Sequence, residues 1–253
     1  MRVAMIQMDM QLGKPEANFE KAEKLVRMAA ELKPDVITLP ETWNTGFFPR
    51  ENLKEASDVD LEQTKKLFSR LAKEYRVNII AGSVANCRDE KIYNTAAVFN
   101  RDGEVVMEYD KVHLFSPSGE HEYFEHGKNI CNFELDGIPC SLVICYDIRF
   151  PELIRSEMLA GSKVQFVVAQ WPDTRLLHWD TLNRARAIES QSFLCCTNSV
   201  GTAGNTKCGG HSAVYGPMGE CLVLGGEAEQ ILMADMELSL IHISEPTRRR
   251  GIS

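Results

Sequence analysis

The sequence predicts an α/β fold in which two β-sheets pack face to face and helices cover both outer faces. Three observations point there: short apolar, β-branched runs alternate with segments of helical hydrophobic period, that alternation occurs in two successive halves of the chain, and hairpin-type strands are added to it. The 253 residues are 44% hydrophobic, enough for one sizeable core, and no linker, low-complexity tract or fixed-period repeat divides them.

The elements follow in order. Val3 to Met8 reads as a buried strand, and Asn18 to Leu32 as a helix with Phe19, Ala22, Leu25, Val26 and Ala29 on one face. Asp35 to Leu39 is a β-branched run stopped by Pro40. A helix over Leu61 to Tyr75 leads into a strand over Val77 to Gly82. Lys91 to Asn100 and Glu104 to Tyr109 flank the hairpin signal Asp102-Gly103. Beyond a polar stretch from Ser116 to Lys128, Cys140 to Ile144 is a strand, and a helix opens with Pro151 in its first turn and runs to Ala160. A strand over Val164 to Val168, a helix over Leu182 to Ser190 and a strand over Phe193 to Thr197 complete the second half. Gly210 to Asp235 reads as short strands separated by glycine-rich turns.

The net charge of -8, with both signs interleaved, predicts neither a nucleic-acid partner nor a membrane-surface patch. The apolar run at Met1 to Met8 is too short for a signal peptide, and no run reaches the roughly 20 apolar residues of a membrane span. The expected location is cytoplasmic. Eight cysteines scattered through apolar stretches fit a reducing compartment and predict no disulfides. Leu238 to Arg248 matches, over eleven consecutive residues, the translation of a sequencing-library transposase adapter. This predicts one natural domain over 1–237 and a non-native tail over 238–253, in which His242 and the Arg248-Arg249-Arg250 run carry no function.

Three polar residues stand where apolar strands stop: Glu41 after Val36 to Pro40, Lys111 after Val105 to Tyr109, and Cys145 after Leu142 to Ile144. The carboxyl ends of strands are where α/β sheets bind ligands, so the three can share one pocket. A thiol with an ordinary pKa of about 8.5 needs a base or a cation to act as a nucleophile at neutral pH. Glu41 suits the base that takes the thiol proton and later hands it to a departing amine. Lys111 suits the cation that stabilises thiolate and oxyanion, with the backbone N–H of Tyr146 as a second donor. Each also has a plain structural reading: a packed cysteine, a loop acid, a surface lysine. Spacing alone does not show that they meet.

Leu39-Pro40-Glu41, Lys111-Val112-His113-Leu114-Phe115 and Cys145-Tyr146-Asp147-Ile148-Arg149-Phe150-Pro151-Glu152-Leu153 resemble, in order and surroundings, the three signature segments of the nitrilase superfamily of carbon–nitrogen hydrolases. The resemblance runs from Val3 to about Asp235. It implies a four-layer α-β-β-α sandwich, no cofactor and no metal. It also implies a catalytic set of Glu41, Lys111 and Cys145, joined by a second glutamate at Glu120, or failing that Glu122, that positions Lys111 and the substrate amide. Members form homodimers or larger assemblies partly through C-terminal strands, so the same is expected of this chain where its native C-terminus is present.

Gln170 to Trp179, followed by Arg184 to Glu189, is similar to the omega-amidase branch, whose members deaminate terminal amides of 2-oxo acids such as 2-oxoglutaramate. A substrate of that kind carries a carboxylate at its far end. Arg175 is the candidate to hold it through a guanidinium fork, a surface salt bridge being the alternative. Trp43, Phe47, Phe48 and Trp171 are expected to wall the pocket, and Asp147, Arg149 and Glu152 to form structural ion pairs behind the nucleophile. Alternative activities are an N-carbamoyl amidohydrolase, a general aliphatic amidase, a nitrilase, or a non-catalytic binding protein on the same fold.

Three other motifs fail. Gly210-His211-Ser212-Ala213-Val214 has Val where a serine-hydrolase elbow needs Gly, and adjacent Cys195 and Cys196 lack zinc-pair spacing. No glycine-rich phosphate loop of standard spacing occurs.

Overall fold

The structure, a computed structural model, describes residues 1–47 and 49–239. The expectations attached to Phe48, His242 and Arg248 to Arg250 lie outside those residues. The first half runs β1 (Arg2–Gln7), α1 (Pro15–Ala30), β2 (Val36–Thr38), α2 (Leu53–Ala56), β3 (Asp58–Val59), α3 (Glu62–Tyr75), β4 (Asn78–Arg88), β5 (Lys91–Phe99) and β6 (Val105–Asp110). The second runs β7 (Asn132–Leu135), β8 (Ile138–Ile144), α4 (Pro151–Leu159), β9 (Val164–Ala169), α5 (Leu176–Ser190) and β10 (Phe193–Asn198). Five short strands complete it: β11 (Thr202–Ala203), β12 (Thr206–Lys207), β13 (Ala213–Tyr215), β14 (Cys221–Leu224) and β15 (Gln230–Asp235).

Among the described residues, one sheet has the order β15-β1-β2-β4-β5-β6 with β3 paired to β4, and the other β14-β13-β10-β9-β8-β7. Their central strands are parallel (β1 with β2, β2 with β4; β8 with β9, β9 with β10), as expected of strands joined by helices, and antiparallel strands flank them. β1 shows why these strands are apolar throughout: Val3 and Met5 join a cluster with Leu142, Phe166 and Cys195 of the opposite sheet, while Ala4 and Ile6 join Val26, Phe68 and Leu71 of α1 and α3. On the far side α4 and α5 cover β8 and β10. The result is the four-layer α-β-β-α sandwich.

Two helices begin earlier than expected: α1 at Pro15, where a polar first turn carries no hydrophobic signal, and α5 at Leu176, where the first turn is apolar but leaves Leu177 exposed while Trp179 is buried. β4 runs past Gly82 to Arg88, and reaches β5 through Asp89 and Glu90, both at positive φ. That tight turn holds no glycine, so composition hides it. The eight cysteines carry no disulfide, and Cys221 is the exposed one. No helix among the described residues is long and apolar enough to cross a membrane.

Gly82 connects the fold to the site. The β4–β5 register shifts between Ile80 and Ser83, and Gly82 sits in that irregularity at φ +64°. A Cβ there would stand 2.0 Å from the carbonyl oxygen of Pro40. The close approach lets the Ser83 N–H donate to Pro40 and its Oγ accept from the Thr42 N–H, which clamps the backbone on either side of Glu41. Gly82→Ala is therefore expected to cost at least about 1–2 kcal/mol of left-handed strain, with further cost from displacing Pro40. Thermal denaturation should show a melting point lowered by several degrees together with reduced activity. A variant with native melting and native turnover would contradict this reading of the bulge.

Candidate active site

β2, β5, β6 and β8 deliver one buried cluster. Glu41 follows β2, Lys111 follows β6, Cys145 follows β8, and Asn94 lies within β5. Lys111 is 1% exposed, and its Nζ donates to Glu41 Oε1 at 2.8 Å and to both oxygens of Glu120 at 3.0 Å. Asn94 Nδ2 donates to the same two carboxylates, at 2.8 Å to Glu41 and 3.2 Å to Glu120. The backbone N–H of Gln170 donates to Glu41 Oε2 at 2.8 Å, and that of Phe115 to Glu120 Oε2. Each acid is thus fixed by a cation, an amide and a backbone donor. Glu122, the fallback for the second acid, is exposed on the turn after Glu120.

Burial works against the Lys111 ammonium, but the carboxylates of Glu120 and Glu41 outweigh it and hold the group well above the usual lysine range. Lys111 stays charged. Cys145 behaves differently. Burial, then the neighbouring Glu41 carboxylate to which the thiol hydrogen-bonds, push it well above the ordinary thiol range, and Lys111 offsets them only in part. The expected lysine-stabilised thiolate is therefore not the resting form. The thiol keeps its proton, which is directed at Glu41.

Cys145 has φ +48°, in the left-handed region that non-glycine residues seldom occupy. It opens a short 3₁₀ turn, Cys145–Arg149, held from behind by Asp147. This buried carboxylate accepts from the Ile144 N–H (3.1 Å), the Tyr109 hydroxyl (2.8 Å) and the His113 N–H (2.8 Å), and lies 2.9 Å from His113 Nδ1. The turn is thereby tied to the strand that carries Lys111.

A cavity of about 70 Å³ opens over the cluster. Lys111, Glu120, Cys145 and Gln170 form its reactive floor, and Phe47, Phe115, Tyr146 and Trp171 its apolar walls. Arg149 and Arg175 complete it. The Arg175 guanidinium stacks 4.8 Å over Phe115, and that of Arg149 stacks 4.9 Å over Trp171 and donates to His178 Nδ1 at 3.0 Å. Neither is within ion-pair distance of a carboxylate among the described residues.

Glu41, Lys111, Glu120 and Cys145 thus come together, and Tyr146, Arg175, Trp171 and Phe47 line the cavity above them. Two expectations need correction. Trp43 is not a pocket wall: it is fully buried against Phe19 and Phe68 under α1 and α3, with Nε1 donating to Ala81. Arg149 pairs with neither Asp147 nor Glu152; it faces the cavity, while Glu152 is exposed. Sequence reasoning missed Asn94, whose only signal is a polar residue inside an apolar strand. No group of His, Cys, Asp and Glu among the described residues could hold a metal ion.

Known proteins resemble this chain in sequence and in fold. The model of the family described as carbon-nitrogen hydrolase matches residues 2–242. A hydrolase in the agr operon of Staphylococcus aureus is 41% identical over 94% of this chain and 92% of its own length. The 2-oxoglutaramate amidase of Bacillus subtilis is 40% identical over 93% and 90%. The crystal structure of a branch 10 nitrilase-superfamily protein from Saccharomyces cerevisiae superposes with a TM-score of 0.91 over 99% of this chain and 97% of that one, at 24% identity, which establishes the shared sandwich. An amidase from Nesterenkonia sp. AN1, in a glutamate-to-glutamine mutant whose active-site cysteine has added acrylamide, superposes with a TM-score of 0.86 over 98% and 96% at 25% identity. By its fold, its buried Glu-Lys-Glu-Cys cluster and its match over nearly its whole length, the chain belongs to the carbon–nitrogen hydrolase family of the nitrilase superfamily.

Proposed function

We propose that the protein is an omega-amidase, which hydrolyses the terminal amide of a small 2-oxo dicarboxylic acid monoamide, of the 2-oxoglutaramate type, through a thioester on Cys145. The observation that carries the substrate class is the pair of guanidiniums, Arg149 and Arg175, which have no carboxylate partner among the described residues and stand in a cavity floored by Cys145. A neutral aliphatic amide leaves both charges unanswered, whereas a 2-oxo acid offers a carboxylate and an adjacent carbonyl oxygen to them. The 40% identity to the Bacillus subtilis 2-oxoglutaramate amidase supports the same substrate.

In the proposed reaction the thiol sulfur attacks the amide carbon as its proton passes to Glu41, so no free thiolate is required beforehand. The carbonyl π electrons move to oxygen, and this oxyanion is held by Lys111 and the Tyr146 backbone N–H. Collapse breaks the C–N bond, Glu41 returns its proton to the nitrogen, and ammonia leaves. Water, deprotonated by Glu41, then attacks the thioester, the C–S bond breaks, and the thiol regains its proton. Glu120 and Asn94 keep Lys111 and Glu41 in place throughout. The acrylamide adduct on the active-site cysteine of the Nesterenkonia amidase supports the cysteine as nucleophile.

Ammonia release from 2-oxoglutaramate tests the reading: the native chain is expected to release it and Cys145→Ala to lose at least about 10³-fold in rate. Release from N-carbamoyl compounds or nitriles, but not from 2-oxo acid amides, would overturn the substrate. Arg175→Ala and Arg149→Ala should each raise KM for 2-oxoglutaramate about tenfold or more, yet change KM for a neutral amide of similar length little; equal effects on both substrates would refute the carboxylate role.

The raised thiol pKa sets a sign for the pH profile. A site that depends on thiolate gains activity through the ordinary thiol pKa of about 8.5 as the thiolate fraction grows. With the Cys145 proton held above that range, kcat/KM should show no such rise between about pH 7.5 and 9.5. A tenfold increase per pH unit there would contradict the neutral resting thiol.

A further inference from the structure

The mechanism uses the backbone of Gln170 and leaves its side chain unexplained. Gln170 is 4% exposed, it follows β9, and it shares the cavity floor with Cys145, Lys111 and Glu120. Its Nε2 lies 2.8 Å from the Glu41 carbonyl oxygen, 3.1 Å from Thr42 Oγ1 and 3.0 Å from Met10 Sδ. A carbonyl oxygen only accepts, so the amide cannot be flipped: the NH₂ end must face Glu41. Both N–H groups are then committed. Oε1 is left as the polar atom of this side chain that accepts from no group among the described residues. Oε1 is not one of the solvent-sealed unsatisfied atoms among the described residues, so it stays open to a hydrogen bond from a ligand or water.

The leaving nitrogen has to lie against Glu41, the group that protonates it. Gln170 is Glu41's neighbour through two hydrogen bonds, one from its backbone to the carboxylate and one from its side chain to the main chain. An unionised amide NH₂ delivered to Glu41 brings one hydrogen more than the reacting centre uses.

From this geometry we infer that Gln170 Oε1 accepts a hydrogen bond from the NH₂ of the scissile amide and so selects primary amides over substrates whose leaving group has no N–H. The inference rests on the amidase reading and adds to it a residue that recognises the leaving group. The acid end of the substrate is held by Arg149 and Arg175; the amide end is read by Gln170. A nitrile or an ester of the same acyl group leaves Oε1 unanswered, and loses what one hydrogen bond contributes, up to about tenfold in kcat/KM.

The test compares 2-oxoglutaramate with the ω-methyl ester of the same 2-oxo acid, in native protein, Gln170→Met and Gln170→Glu, each verified as folded by its melting curve. Met removes the acceptor oxygen at similar length; Glu keeps it. The amide-to-ester ratio of kcat/KM should fall about tenfold in Gln170→Met, and should stay within about twofold of native in Gln170→Glu, whatever loss both substrates share from disturbing Glu41. A purely structural role lowers both substrates together, so an unchanged ratio in Gln170→Met overturns the inference, as does an equal fall in Gln170→Glu. If Gln170→Met does not fold, Gln170→Leu, which also lacks the oxygen, takes its place: its ratio should fall about tenfold, and an unchanged ratio overturns the inference. Amide turnover by the native protein with an unmoved ratio removes this inference and leaves the amidase reading standing; no amide turnover by the native protein removes both.

Discussion

One ammonium buried between two carboxylates is the constraint on which the rest of this molecule depends. Lys111 Nζ, almost without solvent, answers Glu41 on one side and both oxygens of Glu120 on the other. Breaking such a set by removing one partner leaves an uncompensated buried charge, at a cost on the order of 3–5 kcal/mol. Strands from one sheet and a turn from the loop beyond must therefore arrive together, and Asn94 bridges the two acids so that neither can swing away. Burial first, and then the excess of negative charge around a single lysine, explain why Cys145 keeps its proton. In the proposed reaction that proton moves to Glu41 when the substrate arrives, with no stored thiolate.

The sheet-on-sheet core converts that constraint into position. Glu41 and Cys145 stand one or a few residues past the end of strands buried on both faces, so the slip that would misplace them would also disrupt the core; Lys111 follows the edge strand β6, whose register is set by its pairing with β5. Gly82 allows β4 to approach the backbone before Glu41, and Asp147 ties the turn of Cys145 to Tyr109 and His113 around Lys111. Strain at Cys145 is thus held by buried hydrogen bonds on the side away from the cavity.

Much of this was legible in the residues. Strand endings marked Glu41, Lys111 and Cys145, and the signature resemblance singled out Glu120 over Glu122, because these depend on local pattern. Residues whose role depends on which face meets what were not legible. Trp43 and Trp171 both stand near strand ends, yet one fills the helix-side core and the other walls the cavity. Arg149 sits two residues from a buried aspartate, and only the folding of the 3₁₀ turn shows that its guanidinium leaves Asp147 for the Trp171 ring. The sequence gives no role to Asn94, a polar residue inside an apolar strand, or to the side chain of Gln170, since what a buried amide does is recognisable only through the groups it touches. The first turn of α1 was hidden for a simpler reason: it is polar.

The central claim is that a neutral Cys145, facing Glu41 and Lys111, becomes acylated by an amide substrate. Mass spectrometry of the protein quenched in acid during turnover of 2-oxoglutaramate, followed by peptide mapping, tests it most directly. The account predicts a mass increase equal to the acyl group on the peptide that contains Cys145 and on no other cysteine peptide. Turnover without any acylated peptide under conditions where deacylation is rate-limiting, or acylation at another of the eight cysteines, would contradict it.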